Sequence, residues 1–201
     1  MNAEVVLVPG LWMPAAVMLL LAAHLERAGY RVHRFGYRGR DPLDANIERL
    51  ASFARGSLMH FVGHSLGGVL IYDMLERHRD IAAGRVVLIG SPVRGSFAGR
   101  RFGSRSLGRW MLGGCSPRWQ EREARWQRPE PLGVIAGTMA FGLGRAIGRL
   151  PGDNDGVVCV EETRIDGMVA RALLPQGHSR LLVSQSVAGL VERFLGTGRF
   201  S

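Results

Sequence analysis

A chain of 201 residues, 46% hydrophobic and 21% charged, suffices for one domain with a sizeable core, and no repeat, acidic tail or proline-rich linker divides it. The net charge of +9 comes wholly from arginine, since all 26 basic residues are Arg and lysine is absent. Nucleic-acid binders more often mix both cations in aromatic-laced clusters, so this largely even spread argues against a nucleic-acid partner.

In chain order, Val5 to Val8 is a β-branched run that reads as a strand and ends at Pro9-Gly10. Residues 15 to 28 follow with helical periodicity closed by Gly29. The stretch Ala15 to Ala23 has the apolarity of a signal-peptide core, but Glu4 and no basic residue precedes it, and His24, Glu26 and Arg27 close it. That is far short of the roughly 20 apolar residues that span a bilayer, so a buried helix in a cytoplasmic protein is expected. Tyr30 to Phe35 reads as a second strand, Gly39 to Pro42 as a turn, and about Asp44 to Arg55 as a helix. Leu58, Met59, Phe61 and Val62 form a third strand before Ser65, and a helix runs from Ser65 to His78. Val86 to Ile89 and Leu132 to Ala136 are further strands, Val169 to Leu174 is the last, and Leu181 to Leu195 is a closing amphipathic helix. Such alternation implies a parallel sheet with helices on both faces, with chemistry beyond the carboxyl ends of the strands.

Gly63-His64-Ser65-Leu66-Gly67 lies at one such end, between a strand and a helix. A serine flanked this way is the pattern of a nucleophile elbow, where a side chain on either glycine would collide with the crossing elements. A bare Gly-x-Ser-x-Gly is weak in a chain with 28 glycines, so the partners of Ser65 carry the argument. A serine hydroxyl needs a base, and the base a carboxylate that orients it. Of six histidines, His24, His33 and His78 read as surface or packing residues, His60 sits on a buried strand, and His64 is the variable position of the motif. His178 remains, in the polar loop Pro175 to Ser179 between the last strand and the last helix. For the acid, the turn Gly152 to Val158 offers Asp153, which could instead brace the turn through backbone hydrogen bonds, and Asp155, the better candidate because its place directly before Gly156-Val157-Val158 resembles a family pattern taken up below; Asp166 is a weaker third choice. The backbone amides of Leu66, at the start of its helix, and of Leu11, after the first strand, are the expected oxyanion donors.

Between residues 94 and 128 the even charge breaks down. Arg94, Arg100, Arg101, Arg105, Arg109, Arg118, Arg122, Arg125 and Arg128 alternate with Phe97, Phe102, Trp110, Trp119 and Trp126. Either this is a surface suited to anionic headgroups, with a peripheral membrane contact, or it is a solvated segment whose tryptophans fold onto the core. Residues 94–130 are expected to form a cap inserted in a single domain spanning 1–201, with Trp12, Trp110, Trp119 and Trp126 as candidates to line the substrate site. Two cysteines, Cys115 and Cys159, are too few for a disulfide framework and read as reduced thiols, their pairing left open.

Taken together, Val5-Val6-Leu7-Val8-Pro9-Gly10, Gly63-His64-Ser65-Leu66-Gly67-Gly68 and Asn154-Asp155-Gly156-Val157-Val158 resemble the α/β-hydrolase superfamily, in particular its bacterial lipase and esterase branch and the lipase-like inositol deacylases. The order Ser65, Asp155, His178 is that of the superfamily's triad. The resemblance implies a minimal α/β-hydrolase fold that lacks the first two strands of the usual sheet. Proline stands at position 9 where those lipases have histidine, and Arg180 where some carry a calcium-binding aspartate, so no metal site and no cofactor are expected.

The expected function is hydrolysis of a small-molecule or lipid carboxylic ester through an acyl-enzyme. Transfer of the acyl group to an acceptor other than water would use the same triad. A non-catalytic scaffold that binds a membrane or a partner is the alternative from another class.

Overall fold

The computed structural model describes residues 3–104, 106, 108, 110, 114, 118–140 and 150–201. Arg105, Arg109 and Cys115 lie outside them.

Among the described residues six strands form one sheet in the order β2-β1-β3-β4-β5-β6, every neighbouring pair parallel. They are β1 (Glu4–Val8), β2 (Arg31–Arg34), β3 (Met59–His64), β4 (Ala83–Ile89), β5 (Leu132–Gly137) and β6 (Ala170–Leu174). Central strands buried on both faces need apolar residues at every position rather than at alternate ones, and Val5 to Val8 are all fully buried. Val5 and Leu7 face a layer made by α1 (Leu19–Arg27) and, from the end of the chain, a helix over Gln185–Thr197; Val6 and Val8 face α2 (Leu43–Ala54) and α3 (Leu66–Arg77). A further helix, α4 (Phe97–Gly103), lies beyond the carboxyl end of β4. The Gln185–Thr197 helix is α5.

The expected order of elements is the observed one, and two helices start later than their apolar runs. After Pro14, residues Ala15–Met18 form a 3-10 turn and the α-helix begins at Leu19. This helix is half wrapped: Met18, Leu21, Ala22 and Leu25 are buried, whereas Leu19 and Leu20 face outward at 50% and 61% exposure. The apolar run therefore does not make a fully buried helix. At the other end of the chain Leu181 and Leu182 belong to a 3-10 turn (Arg180–Val183). Ser184 is extended and its Oγ accepts from the Val187 amide at 3.4 Å, so it caps α5 and fixes the start at Gln185. No helix among the described residues is long and apolar enough to cross a membrane.

Parallel strands all release their chains at the same end of the sheet. The loops after Val8, His64, Ile89, Gly137 and Leu174 consequently gather along one edge.

Candidate active site

Ser65 stands between β3 and α3 with φ 54° and ψ −125°. For a residue with a Cβ this left-handed conformation is strained, and it persists only where the surroundings hold it. Here the Ser65 amide donates to the Ile89 carbonyl at 2.9 Å, which ties the turn to the end of β4. The crossing itself depends on glycine, because a Cβ on Gly67 would lie 2.2 Å from the Val8 carbonyl oxygen and one on Gly63 2.4 Å from the Gly68 Cα.

The Ser65 hydroxyl projects to Nε2 of His178 at 3.0 Å, and Nδ1 of His178 meets Oδ2 of Asp155 at 2.7 Å. Asp155 is buried, yet its other oxygen accepts from the amides of Val157 at 3.0 Å and Val158 at 2.7 Å, so the carboxylate is solvated by the turn that carries it. The His178 amide returns a bond to the Asp155 carbonyl at 2.9 Å, which fixes one loop against the other. Gly90, at φ 54°, ends β4 against this pair: a Cβ there would lie 3.3 Å from both Asp155 Oδ2 and His178 Nδ1. Thus three residues expected to work together lie in one hydrogen-bonded line. Asp153 is exposed, and among the described residues its backbone carbonyl alone is engaged, by the Val160 amide at 2.8 Å. Asp166 sits at the amino end of the sheet, bonded through its backbone to Ala124 and Trp126.

His64 has a place that the motif alone did not reveal. It is fully buried; its Nε2 meets the His178 carbonyl oxygen at 3.2 Å and the two rings are 4.6 Å apart. The strand alternation carried the signal: His64 shares parity with Val62, which faces the α1 and α5 layer from which the His178 loop descends.

The loop after β1 runs close to the serine. A Cβ on Gly10 would sit 3.1 Å from the Ser65 Cβ, and the Met13 amide closes a turn onto the Gly10 carbonyl at 3.2 Å. Neither the Leu11 nor the Leu66 amide has an acceptor among the described residues. Trp12 follows with φ 59°, half-exposed, and its indole meets the Phe102 ring of α4 edge-on at 6.1 Å.

The arginine-rich segment is largely bonded inward. Arg118 and Arg122 both grip the buried carboxylate of Asp73 on α3, at 2.6 and 2.5 Å, and both also donate to the Val93 carbonyl. Burial pushes the Asp73 carboxyl up and Arg122 and Arg77 pull it part of the way back, which leaves it raised to about 6. Arg128 donates to the carbonyls of Leu75 in the last turn of α3 and of His78 and Ile81 just past it, and to Glu130. Arg100 bonds the Trp119 carbonyl and Glu121. These four are committed within the protein, which removes them from the headgroup surface considered from sequence. Of the tryptophans, Trp119 and Trp126 are buried in the core. Trp126 donates to the Glu130 carbonyl at 2.7 Å just before β5, at the end of the sheet opposite Ser65, so it lines no site there. Trp110 is 61% exposed under the guanidinium of Arg40, 4.2 Å from its ring centroid. Among the described residues, no group of His, Cys, Asp and Glu is arranged to hold a metal ion. Cys159 is buried, and burial followed by the nearby Glu162 and Asp155 carboxylates pushes its thiol up to about 12, which leaves it unreactive.

Solved structures share this architecture. A pyrethroid hydrolase aligns with a TM-score of 0.69 at 15% identity, covering 98% of this chain and 99% of its own. The monoacylglycerol lipase of Paleococcus ferrophilus aligns with a TM-score of 0.64 at 14% identity, covering 98% and 97%. A meta-cleavage product hydrolase of Pseudomonas fluorescens aligns with a TM-score of 0.66 at 16% identity, covering 97% and 91%. No curated protein sequence matches the chain. Residues 5–193 match the model of the alpha/beta hydrolase family, and the chain belongs to that family.

Proposed function

We propose that this protein is a serine hydrolase that cleaves carboxylic esters through an acyl-enzyme. The observation that carries the reading is the line of contacts from Ser65 Oγ to His178 Nε2 at 3.0 Å and from His178 Nδ1 to Asp155 Oδ2 at 2.7 Å. Family membership and the names of similar structures, a lipase among them, favour hydrolysis.

In this reading Ser65 attacks the ester carbonyl while His178 takes its proton at Nε2. Asp155 accepts from Nδ1–H, holding that tautomer and offsetting the imidazolium charge. The negative charge that develops on the carbonyl oxygen is met by the Leu11 and Leu66 amides; each such donor is worth about 2.7–4 kcal/mol of barrier. The α3 amino terminus adds its dipole. His178 then protonates the leaving alkoxide, and a water activated by the same imidazole releases the acid. Residues 94–130 serve as the cap, with Trp12 and Phe102 at its junction with the oxyanion loop.

The test is labelling with a fluorophosphonate probe. The natural chain should take up one label and Ser65→Ala none; a natural chain that stays unlabelled, or a variant that labels equally, defeats the proposal.

A further inference from the structure

We propose that Tyr37 is a positioning residue for the oxyanion hole, holding the Leu11 amide in place through the Pro9 carbonyl. This rests on the reading of Ser65 as an acyl nucleophile. The Tyr37 hydroxyl donates to the Pro9 carbonyl oxygen at 3.1 Å. Pro9 has no N–H, so the carbonyl is the only polar group by which its backbone can be held. That same oxygen lies close under α3, 2.3 Å from where a Gly67 Cβ would be. Only Gly10 separates Pro9 from Leu11, and glycine supplies no torsional stiffness of its own. An unheld Pro9–Gly10 unit would therefore let the Leu11 amide swing away from the serine.

The other side of Leu11 is clamped by the same segment. Trp12 keeps a positive φ, a conformation that persists only under restraint. Gly39 packs there so closely that a Cβ on it would sit 2.6 Å from Leu11 Cδ1 and 3.4 Å from the Trp12 nitrogen. Residues 37–39 are in turn anchored to α2, because the fully buried Asn46 donates to the Arg38 carbonyl at 3.0 Å. The next residues receive the cap: Arg40 lies over Trp110, and the Gly114 amide reaches the Arg40 carbonyl at 3.5 Å. One short segment thus braces the oxyanion loop on one side and seats the cap on the other.

The experiment compares the full natural chain with Tyr37→Phe and Tyr37→Leu, using a p-nitrophenyl ester and an alkylboronic acid that forms a tetrahedral adduct on the nucleophilic serine. Tyr37→Phe keeps the ring and removes only the hydroxyl. Its kcat should fall about tenfold, equivalent to about 1.4 kcal/mol, with KM within about twofold. Boronate affinity should fall by the same factor and the melting temperature should hold. Tyr37→Leu should add little further loss in kcat. If Tyr37→Phe keeps natural kcat and boronate affinity while only Tyr37→Leu falls, the residue merely packs and the inference is overturned. If the natural chain labels with fluorophosphonate at Ser65 and Tyr37→Phe matches it in every measure, the inference alone fails. If the natural chain shows neither turnover nor label, the functional reading fails and takes the inference with it.

Discussion

The imidazole of His64 is tilted 44° against that of His178 with centroids 4.6 Å apart, and its Nε2–H donates to the His178 carbonyl at 3.2 Å. A carbonyl can only accept, so the proton of neutral His64 resides on Nε2, and Nδ1 has no partner among the described residues. Burial, and after it the neighbouring His178, holds the His64 pKa well below the ordinary histidine value. In the unfolded chain that group protonates near pH 6.5. Below this pH the unfolded state binds one proton that the folded state refuses, so stability is present above the unfolded pKa and lost as pH falls.

The first expected outcome follows from that sign. His64→Gln retains a donor at the Nε2 position and cannot titrate. The difference in unfolding free energy between the natural chain and the variant should shift against the natural chain by about 1.4 kcal/mol per pH unit below about pH 6.5. Urea denaturation at a series of pH values measures it; curves that stay parallel from pH 7.5 to 4.5 would contradict the buried, neutral assignment.

Asp155 and Asp153 lie two positions apart with opposite environments, one buried against His178 and one exposed. Asp155→Asn should lower kcat by about 10⁴, through loss of the correct tautomer of His178. Asp153→Asn should change kcat less than twofold or so. Steady-state kinetics on one ester decides; a reversal of the two effects would transfer the orienting role to Asp153.

Two glycine-to-alanine changes should act in opposite directions. At Gly67 the added methyl meets backbone oxygens at 2.2 and 2.3 Å, where nothing can yield without moving a strand, so the folded population should collapse. At Gly189, within α5, the methyl meets nothing within 4 Å, and alanine should raise stability by about 0.5–1 kcal/mol. Thermal unfolding reads both.

Arginines of the 94–128 segment should also divide. Arg128→Met leaves Glu130 and three carbonyls at and just past the end of α3 without their donor, and should cost about 3 kcal/mol. Arg101→Ala, at an exposed position, should stay within about 0.5 kcal/mol. Equal effects in chemical denaturation would mean that the inward bonds of Arg128 contribute nothing.

Much of the architecture was legible in the chain because burial leaves a periodic trace. Val5 to Val8 reads as a strand from its β-branched run, the residues before Ser65 read as a buried one, and the unbroken apolarity of Val5 to Val8 fits the cover it has on both faces. The helix starts at Leu19 and Gln185 escaped, since 3-10 turns place apolar residues inward much as an α-helix does. His178 could be named from its polar loop at the carboxyl end of the sheet, and Asp155 from its turn together with the resemblance of Asn154 to Val158 to a family pattern. His64 and Tyr37 could not be given roles in that way. Each acts on a backbone carbonyl far off in sequence, and hydropathy records which residues are apolar, not which polar atoms meet across a sheet. The same holds for Arg118 and Arg122, whose meaning depends on Asp73 lying beneath them.

The Ser65 and His178 side chains that meet at 3.0 Å are 113 residues apart along the chain. Contacts of such long range form late, after the loop-closure entropy of a parallel sheet has been overcome. In a collapsed but unfinished chain the serine is therefore an ordinary alcohol with no base beside it. Ester cleavage, if assayed during refolding, should emerge only with the final ordering of the sheet, so a half-folded molecule carries no unguarded reactivity.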